Sequence, residues 1–151
     1  MQPQIEPVTP EDFTRWRELF IGYLTFYKSK LPDQTIERTF ERLFLDGEYE
    51  PCGALAWVDG RAMGLVHYLF HRHTWHEHDV CYLQDLFVDP EARKSGLGRA
   101  LIEFVYAKGT ATEAPYTYWT TQEFNYAGRM LYDRVGTRTP FIKYQGPVNA
   151  R

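Results

Sequence analysis

Arg93-Lys94-Ser95-Gly96-Leu97-Gly98-Arg99-Ala100 follows the apolar run Cys81–Val88 and precedes the amphipathic run Leu101–Lys108. This order predicts a strand, a glycine-containing turn and a helix. Glycines let a backbone approach an anion closely, and the start of a helix offers free N–H groups and the positive end of the helix dipole. Because the eight residues also include three basic side chains, the stretch predicts a loop that binds phosphate groups.

The spacing of the glycines indicates which kind of phosphate-binding loop the stretch resembles. A nucleoside triphosphate loop needs Gly-Lys-Ser or Gly-Lys-Thr four residues after a first glycine, and a dinucleotide loop needs a third glycine where Leu101 stands. The pattern that fits is (Gln/Arg)-x-x-Gly-x-(Gly/Ala), with Arg93, Gly96 and Gly98 at its fixed positions. Because so short a pattern also arises by chance, an ordinary strand-to-helix connection with a basic surface is the alternative interpretation.

A second segment, Asn125–Gly136, is predicted to be a helix. Its apolar residues recur at helical spacing, and Gly136 is placed as a helix stop. Asn125 and Tyr132 are seven residues apart, about two helical turns, so both point to the same side of the helix. Taken alone, each residue also has a purely structural interpretation: Asn125 as the N-cap of the helix, and Tyr132 as a half-buried aromatic residue with a solvated hydroxyl.

In this order, with one predicted helix and one predicted strand between them, the two segments resemble the GNAT superfamily of acyl-CoA-dependent N-acetyltransferases. The resemblance covers roughly residues 57–144. It includes Tyr82–Val88, which is similar to the fourth strand of a branch with small-amine, polyamine, amino-acid and histone-type enzymes. It implies an α/β (α+β) fold in a single domain over residues 1–151, with a mixed central sheet of six to seven strands and four flanking helices. A bulge would splay the fourth strand from the fifth.

The resemblance also implies acetyl-CoA as the co-substrate, with no metal. In the family, pantetheine inserts beside the fourth strand, the glycine loop holds the pyrophosphate, and the later helix lies along the pantetheine arm. The residues of this chain that correspond to the family's cofactor-binding residues are Leu86, Phe87, Val88, Arg93, Lys94, Ser95, Gly96, Leu97, Gly98, Arg99, Ala100, Asn125 and Tyr132.

For the reaction, the resemblance implies direct attack of a primary amine on the thioester in a ternary complex, with Tyr132 as the general acid. Related enzymes have Glu, a candidate base, where this chain has Gln84, which is a poor proton acceptor. Because side chains alternate along a strand, Asp85 is expected on the face opposite to Gln84. It would then be either a structural carboxylate or a base. Glu123 is either a base or a solvated loop charge. We therefore expect deprotonation relayed by water, with Tyr132, Gln84 and Asp85 as the candidate catalytic residues.

Composition excludes several classes of protein. A length of 151 residues fits one domain, and an apolar fraction of 44% is enough for a core. The formal net charge of −3 gives no general attraction for nucleic acid, and two cysteines do not make a disulfide scaffold. The sequence predicts neither a signal peptide nor a membrane-spanning helix, since no apolar run approaches the length of about 20 residues that crosses a bilayer. We expect a cytoplasmic protein with no nucleic-acid or membrane partner.

The identity of the acceptor is only partly constrained. A mildly acidic chain suits a cationic amine, and no extra segment would obviously hold a peptide, so a small amine, polyamine or amino acid is expected. A protein or histone lysine acetyltransferase and a non-catalytic acyl-CoA-binding domain are the alternatives. The family also implies a homodimer, with the C-terminal strand involved.

Five histidines fall within a dozen residues: His67, His71, His73, His76 and His78. Histidine is a common ligand of zinc, copper and nickel, so a metal site is one interpretation. No cysteine or carboxylate has clear ligand spacing with them, and a histidine-rich hairpin tip is the interpretation that we favour.

Hydrophobic periodicity and turn residues predict the remaining elements. By analogy with the family, residues 20–30 would line the acceptor pocket. The predicted strands are Gln4–Val8, Cys52–Val58, Ala62–Arg72, Val80–Val88, Pro115–Thr120 and Phe141–Tyr144, with a turn at Asp59-Gly60; the two further helices run from Thr9 to about Lys28 and from Asp33 to Gly47.

Overall fold

The computed structural model describes residues 2–149, which contain five strands and four α-helices. They fall into two compact units, Met1–Thr120 and Thr121–Arg151. The first unit holds β1 (Gln4–Pro7), α1 (Phe13–Phe26), α2 (Asp33–Arg42), β2 (Cys52–Val58), β3 (Arg61–His71), β4 (Val80–Val88), α3 (Leu97–Ala111) and β5 (Thr117–Tyr118), and the second holds α4 (Tyr126–Val135).

The five strands form one sheet in the order β1-β2-β3-β4-β5. The first three pairings are antiparallel and the pairing of β4 with β5 is parallel, so the sheet is mixed, as predicted. The tight turn between β2 and β3 is at Asp59-Gly60, and both residues have positive φ, 50° and 80°. Such backbone angles match the twist of a two-residue hairpin, which is why Asp-Gly is favoured there.

Helices cover the two faces of this sheet because strand side chains alternate between them. His67 of β3 faces α1, where its ring contacts Trp16, whereas Tyr68 faces α3, where its ring contacts Phe104. Both helices bury an apolar stripe against the strands. The fully buried residues of these stripes are Trp16 and Leu19 on α1, and Leu101, Ile102 and Val105 on α3.

β4 departs from regular pairing at Gln84. His67 of β3 lies opposite Asp85, but the next residue, Tyr68, lies opposite Leu83, so Gln84 is an extra residue on β4. On its other side β4 pairs with β5 only at Cys81 and Tyr82. Beyond these two residues the edge of β4 toward β5 has no ladder partner within residues 2–149. The structure therefore has a bulge and an open strand edge in the predicted place.

The number of strands is smaller than predicted, because Phe141–Tyr144 is not a strand. The segment 137–149 has no regular structure, and Phe141 and Tyr144 are 81% and 88% exposed. A strand needs a hydrogen-bonded neighbour, and these residues have none among those described. The mixed α+β class and the four helices are confirmed.

Several element boundaries also differ from the prediction. α1 begins at Phe13 rather than near Thr9, because Pro10–Asp12 form a separate 3-10 turn before it. α2 ends at Arg42 rather than near Gly47, because Leu43 and Phe44 donate to carbonyls three residues back, which tightens and closes the last turn. β5 spans two residues instead of six. α3 begins at Leu97, so half of the glycine loop lies in its first turn. No helix among the described residues is long and apolar enough to span a membrane.

Candidate active site

The glycine loop joins β4 to α3 through two residues with positive φ. Lys94 has φ 63°, and Gly96, the N-cap of α3, has φ 86°. A left-handed residue at this place turns the chain so that the N–H groups of the first helical turn, which have no partner within a helix, point outward together. Nothing lies within 4 Å of the Cβ that another residue would carry at Gly96, so only the backbone angle favours glycine there. This geometry suits an anion such as pyrophosphate.

The side chains of the loop are mostly engaged within the protein. The Arg93 Nε donates to the carbonyl of Val88 at 3.1 Å, and its guanidinium lies 5.8 and 5.7 Å from the ring centres of Phe26 and Phe87. Arg99 pairs with Glu103 at 2.7 Å. Ser95 donates its hydroxyl to the carbonyl of Ala92. The binding capacity of the loop therefore rests on its backbone more than on its charges.

The remaining residues predicted near the cofactor also offer backbone groups. Leu97 is buried in the core, so only its main chain is available. Leu86, Phe87 and Val88 follow the bulge on β4, along the edge that β5 leaves open. The Phe87 ring packs beside α1, where a Cβ added at Gly22 would lie 2.7 Å from it. Gly98 and Ala100 belong to the first turn of α3.

A cavity of about 520 Å³ opens beside this part of β4. Its volume is in the range of small-molecule sites. Its wall mixes aromatic and aliphatic side chains with polar ones, which include an arginine and two carboxylates. The helices contribute Phe20, Tyr23 and Leu24 of α1 and Thr39 and Arg42 of α2, and the strands contribute His67 and Leu69 of β3 and Gln84 and Asp85 of β4. The loops on either side of α2 contribute Leu31, Tyr49, Glu50 and Pro51.

Gln84 and Asp85 both line this cavity, which corrects the prediction that they face opposite ways. Alternation along a strand holds only where the pairing is regular. Because Gln84 is the extra residue of the bulge, the strand turns locally and presents two successive side chains to one space.

Asp85 ends a chain of hydrogen bonds that sequence reasoning did not identify. The Trp16 Nε1 lies 2.9 Å from the His67 Nε2, and the His67 Nδ1 lies 2.8 Å from the Asp85 Oδ2. Tyr23 lies beside Asp85 as well, and its pKa is raised above the ordinary value, first by burial and then by the nearby carboxylate. Only the position of His67, a polar residue between apolar ones on a strand, hinted at this role.

The other four histidines are dispersed around the hairpin between β3 and β4. The His71 Nε2 contacts the Tyr118 hydroxyl at 2.6 Å, and the His78 Nε2 lies 3.1 Å from Glu113. The rings of His73 and His76 lie against one another at a tilt of 55°, with their centres 5.0 Å apart. Among residues 2–149 no three His, Cys, Asp or Glu side chains are placed to hold a metal ion.

In the second unit, Asn125 is the N-cap of α4. Its Oδ1 accepts from the Gly128 N–H at 3.2 Å, and its Nδ2 donates to the Thr121 Oγ1 at 3.0 Å. These contacts are those expected of a helix N-cap residue, the structural interpretation of Asn125. Tyr132 is half-buried two turns further along α4, and Glu123 lies exposed before the helix, where its carbonyl accepts from Arg129 at 2.5 Å.

Comparison with known proteins identifies the family. The acetyltransferase (GNAT) family model matches residues 13–137. A D-amino-acid N-acetyltransferase of Saccharomyces cerevisiae is 36% identical over 143 residues, which is 93% of this chain and 88% of the relative.

Two solved structures show the same fold. A probable acetyltransferase has a TM-score of 0.85 at 22% identity, over 98% of this chain and 99% of that one. AAC(6')-Iy in complex with the bisubstrate analogue CoA-S-monomethyl-acetylneamine has a TM-score of 0.80 at 20% identity, over 98% and 100%. With a family match over most of its length and a relative at this level of identity, the chain belongs to the acetyltransferase (GNAT) family and is an acetyl-transferring enzyme.

Proposed function

We propose that the protein transfers the acetyl group of acetyl-CoA to the primary amine of a small molecule, and that the acceptor is an amino acid. The observation that carries this proposal is the layout of β4. Gln84 and Asp85 line the cavity, the next three residues carry the open strand edge, and the glycine loop follows. An acceptor in the cavity and a cofactor along the edge would thus meet on one strand.

The reaction requires the enzyme to position its two substrates and does not require a covalent enzyme intermediate. Acetyl-CoA supplies an acyl group that is already activated as a thioester, so an amine held in line attacks it directly. We propose the backbone of the loop and of Leu86–Val88 for binding, Asn125 for the pantetheine arm, and Tyr132 as the acid for the leaving thiolate. Gln84 is a poor proton acceptor, so the ammonium group of the acceptor loses its proton through water.

The polar groups of the cavity suit an amino acid better than a polyamine. Arg42 supplies a guanidinium that matches a carboxylate, and Glu50 and Asp85 supply carboxylates that match an ammonium group. A polyamine would leave Arg42 facing a like charge. The apolar wall, with Phe20, Leu24 and Leu69, would take the side chain of the acceptor. The yeast relative, named for D-amino acids, supports the same class.

Thiol release from acetyl-CoA tests this function. Each D- and L-amino acid is compared with the amine that lacks its carboxylate, beside polyamines and a histone-tail peptide. Turnover is expected with amino acids and weaker turnover with the carboxylate-free amines. Preference for polyamines or the peptide would contradict the acceptor class, and tight acetyl-CoA binding without any turnover would contradict the enzymatic proposal.

Replacing Arg42 by Gln should raise the KM for amino acids about 10-fold or more, the usual worth of a charge-assisted hydrogen bond. The KM for the matching carboxylate-free amine should stay unchanged, because that amine has nothing for the guanidinium to bind. Steady-state kinetics with the two acceptors measure the difference. Arg38→Gln, on the same helix and outside the cavity lining, is the control. Equal effects on both acceptors would remove Arg42 from carboxylate recognition.

Replacing Gly96 by Val should weaken acetyl-CoA binding at least about 10-fold, because a β-branched residue does not keep the positive φ that aligns the N–H groups. Gly60→Val is a matched control: Gly60 also has positive φ and open space around the added Cβ, but it lies in the β2–β3 turn. Titration calorimetry measures acetyl-CoA binding, which should be weakened in the Gly96 variant only. Thermal unfolding should show a similar loss of stability in both variants. Retained binding in the Gly96 variant would contradict the loop assignment.

Replacing Tyr132 by Phe should lower kcat by about 10-fold or more, the lower range for acid catalysis, with little change in acetyl-CoA affinity. Tyr126→Phe removes a hydroxyl from an exposed residue of the same helix and should leave kcat unchanged. Rapid kinetics on both variants give the comparison. A Tyr132 variant with normal kcat would show that another group protonates the thiolate.

A further inference from the structure

Three residues beside the cavity have no part in the proposed reaction: Trp16 and Tyr23 of α1 and His67 of β3. Trp16, His67 and Asp85 form a chain of side-chain hydrogen bonds from the buried core to the cavity wall, and Tyr23 lies beside Asp85. His67 is only 3% exposed and lies among aromatic rings, where a polar side chain is costly unless its partners satisfy it.

The chemistry of the groups fixes the direction of each bond. An indole N–H only donates, so the His67 Nε2 must accept from Trp16, and the proton of the imidazole is therefore on Nδ1. The Nδ1–H then donates to the Asp85 Oδ2. Tyr23 also lies beside Asp85, where burial and the carboxylate raise the pKa of its hydroxyl, so the phenol keeps its proton. Asp85 thus accepts a hydrogen bond from a neutral imidazole and lies beside a neutral phenol, and neither group is a cation.

Asp89, four residues further along, shows what is different about Asp85. The two carboxylates are almost equally covered, with side-chain exposures of 15% for Asp85 and 16% for Asp89. Asp89 pairs with the guanidinium of Arg15 at 2.9 Å, whereas no Lys or Arg within residues 2–149 forms an ion pair with Asp85. Carboxylates removed from water are normally matched by a cation. A second carboxylate oxygen of the same wall, the Glu50 Oε2, is buried with no hydrogen-bond partner among the described residues.

We propose that Asp85 is the docking point for the amino group of the acceptor, and that His67 and Trp16 are positioning residues that hold its carboxylate toward the cavity. This inference rests on the proposed function and assigns the residues that recognise the amine. An ammonium group has three N–H donors and the positive charge that no described Lys or Arg brings to Asp85, and the Glu50 Oε2 is a second acceptor in the lining of the same cavity. The site selects amines over hydroxyl compounds of the same shape, because those bring no charge to Asp85.

Two substitutions of His67 separate positioning from packing. His67→Asn keeps an N–H where Nδ1 stands and can still donate to Asp85, whereas His67→Leu suits the apolar surroundings but leaves Asp85 without that donor. We expect the Leu variant to raise the acceptor KM more than the Asn variant, even where it is the more stable protein. The reverse order of KM values, following stability, would overturn the positioning role.

Asp85→Asn should raise the acceptor KM by about 10- to 100-fold, as for the loss of a hydrogen bond to a charged group, without changing acetyl-CoA affinity. Asp89→Asn removes an equally covered carboxylate from the end of the same strand and should lower thermal stability while the acceptor KM stays within about 2-fold. An unchanged acceptor KM in the Asp85 variant would overturn the docking proposal.

A measurement on the unaltered protein avoids any dependence on folding of variants and on turnover. Heteronuclear NMR follows the His67 Nδ1–H, whose signal should shift when a primary amine is titrated in and stay in place with the hydroxyl analogue of the same shape. Absence of that selective shift overturns the inference even if the enzyme turns over. A selective shift together with no acetyl transfer to any acceptor supports the docking point and contradicts the proposed function instead.

Discussion

One extra residue in β4 is the constraint on which the candidate site depends. At Gln84 the strand gains a residue that β3 does not match, and two residues earlier its pairing with β5 has already stopped. A regular strand would send Gln84 and Asp85 to opposite faces and continue its ladder to the end. The bulge instead gives both side chains to the cavity, and the missing ladder leaves the backbone of Leu86–Val88 open. Both halves of the proposed two-substrate site follow from this local irregularity.

The hydrogen-bonded chain that ends at Asp85 couples the site to the core. Trp16 and Tyr23 are seven residues apart on α1, so both reach the same side of that helix. Trp16 donates to His67 at the buried end, and Tyr23 lies beside Asp85 at the cavity end. Such a network is stable only when every member has its partner, so it restricts how α1 can sit on the sheet. Packing of Leu19 and Phe20 alone would permit more than one placement, because apolar contacts carry no direction.

Local features of the chain were predictable, and features that depend on a distant partner were not. Asp59-Gly60 and Gly96 could be located because a turn needs particular backbone angles from its own residues. The bulge at Gln84 exists only relative to β3, so it was expected from the family resemblance and not from its own segment. The partner of His67 is on α1, which no single segment reveals. Phe141–Tyr144 has the composition of a strand but lacks a neighbour among the described residues. The mixed sheet, the four helices and the family followed from local patterns placed in the right order.

The two substrates of the proposed reaction would be recognised by different kinds of groups. The loop offers main-chain N–H groups whose direction depends on φ at Gly96, and its arginines are largely occupied by Val88 and Glu103. Many sequences can provide such a backbone, so cofactor binding constrains few side chains. The cavity, in contrast, would discriminate through the charges of Arg42, Glu50 and Asp85. Of these three, Asp85 also belongs to the hydrogen-bonded chain that links α1 to the sheet, so its replacement would affect packing as well as the acceptor. In the proposed reaction, acceptor specificity would therefore depend on a few charged side chains, and cofactor binding on the backbone of the loop.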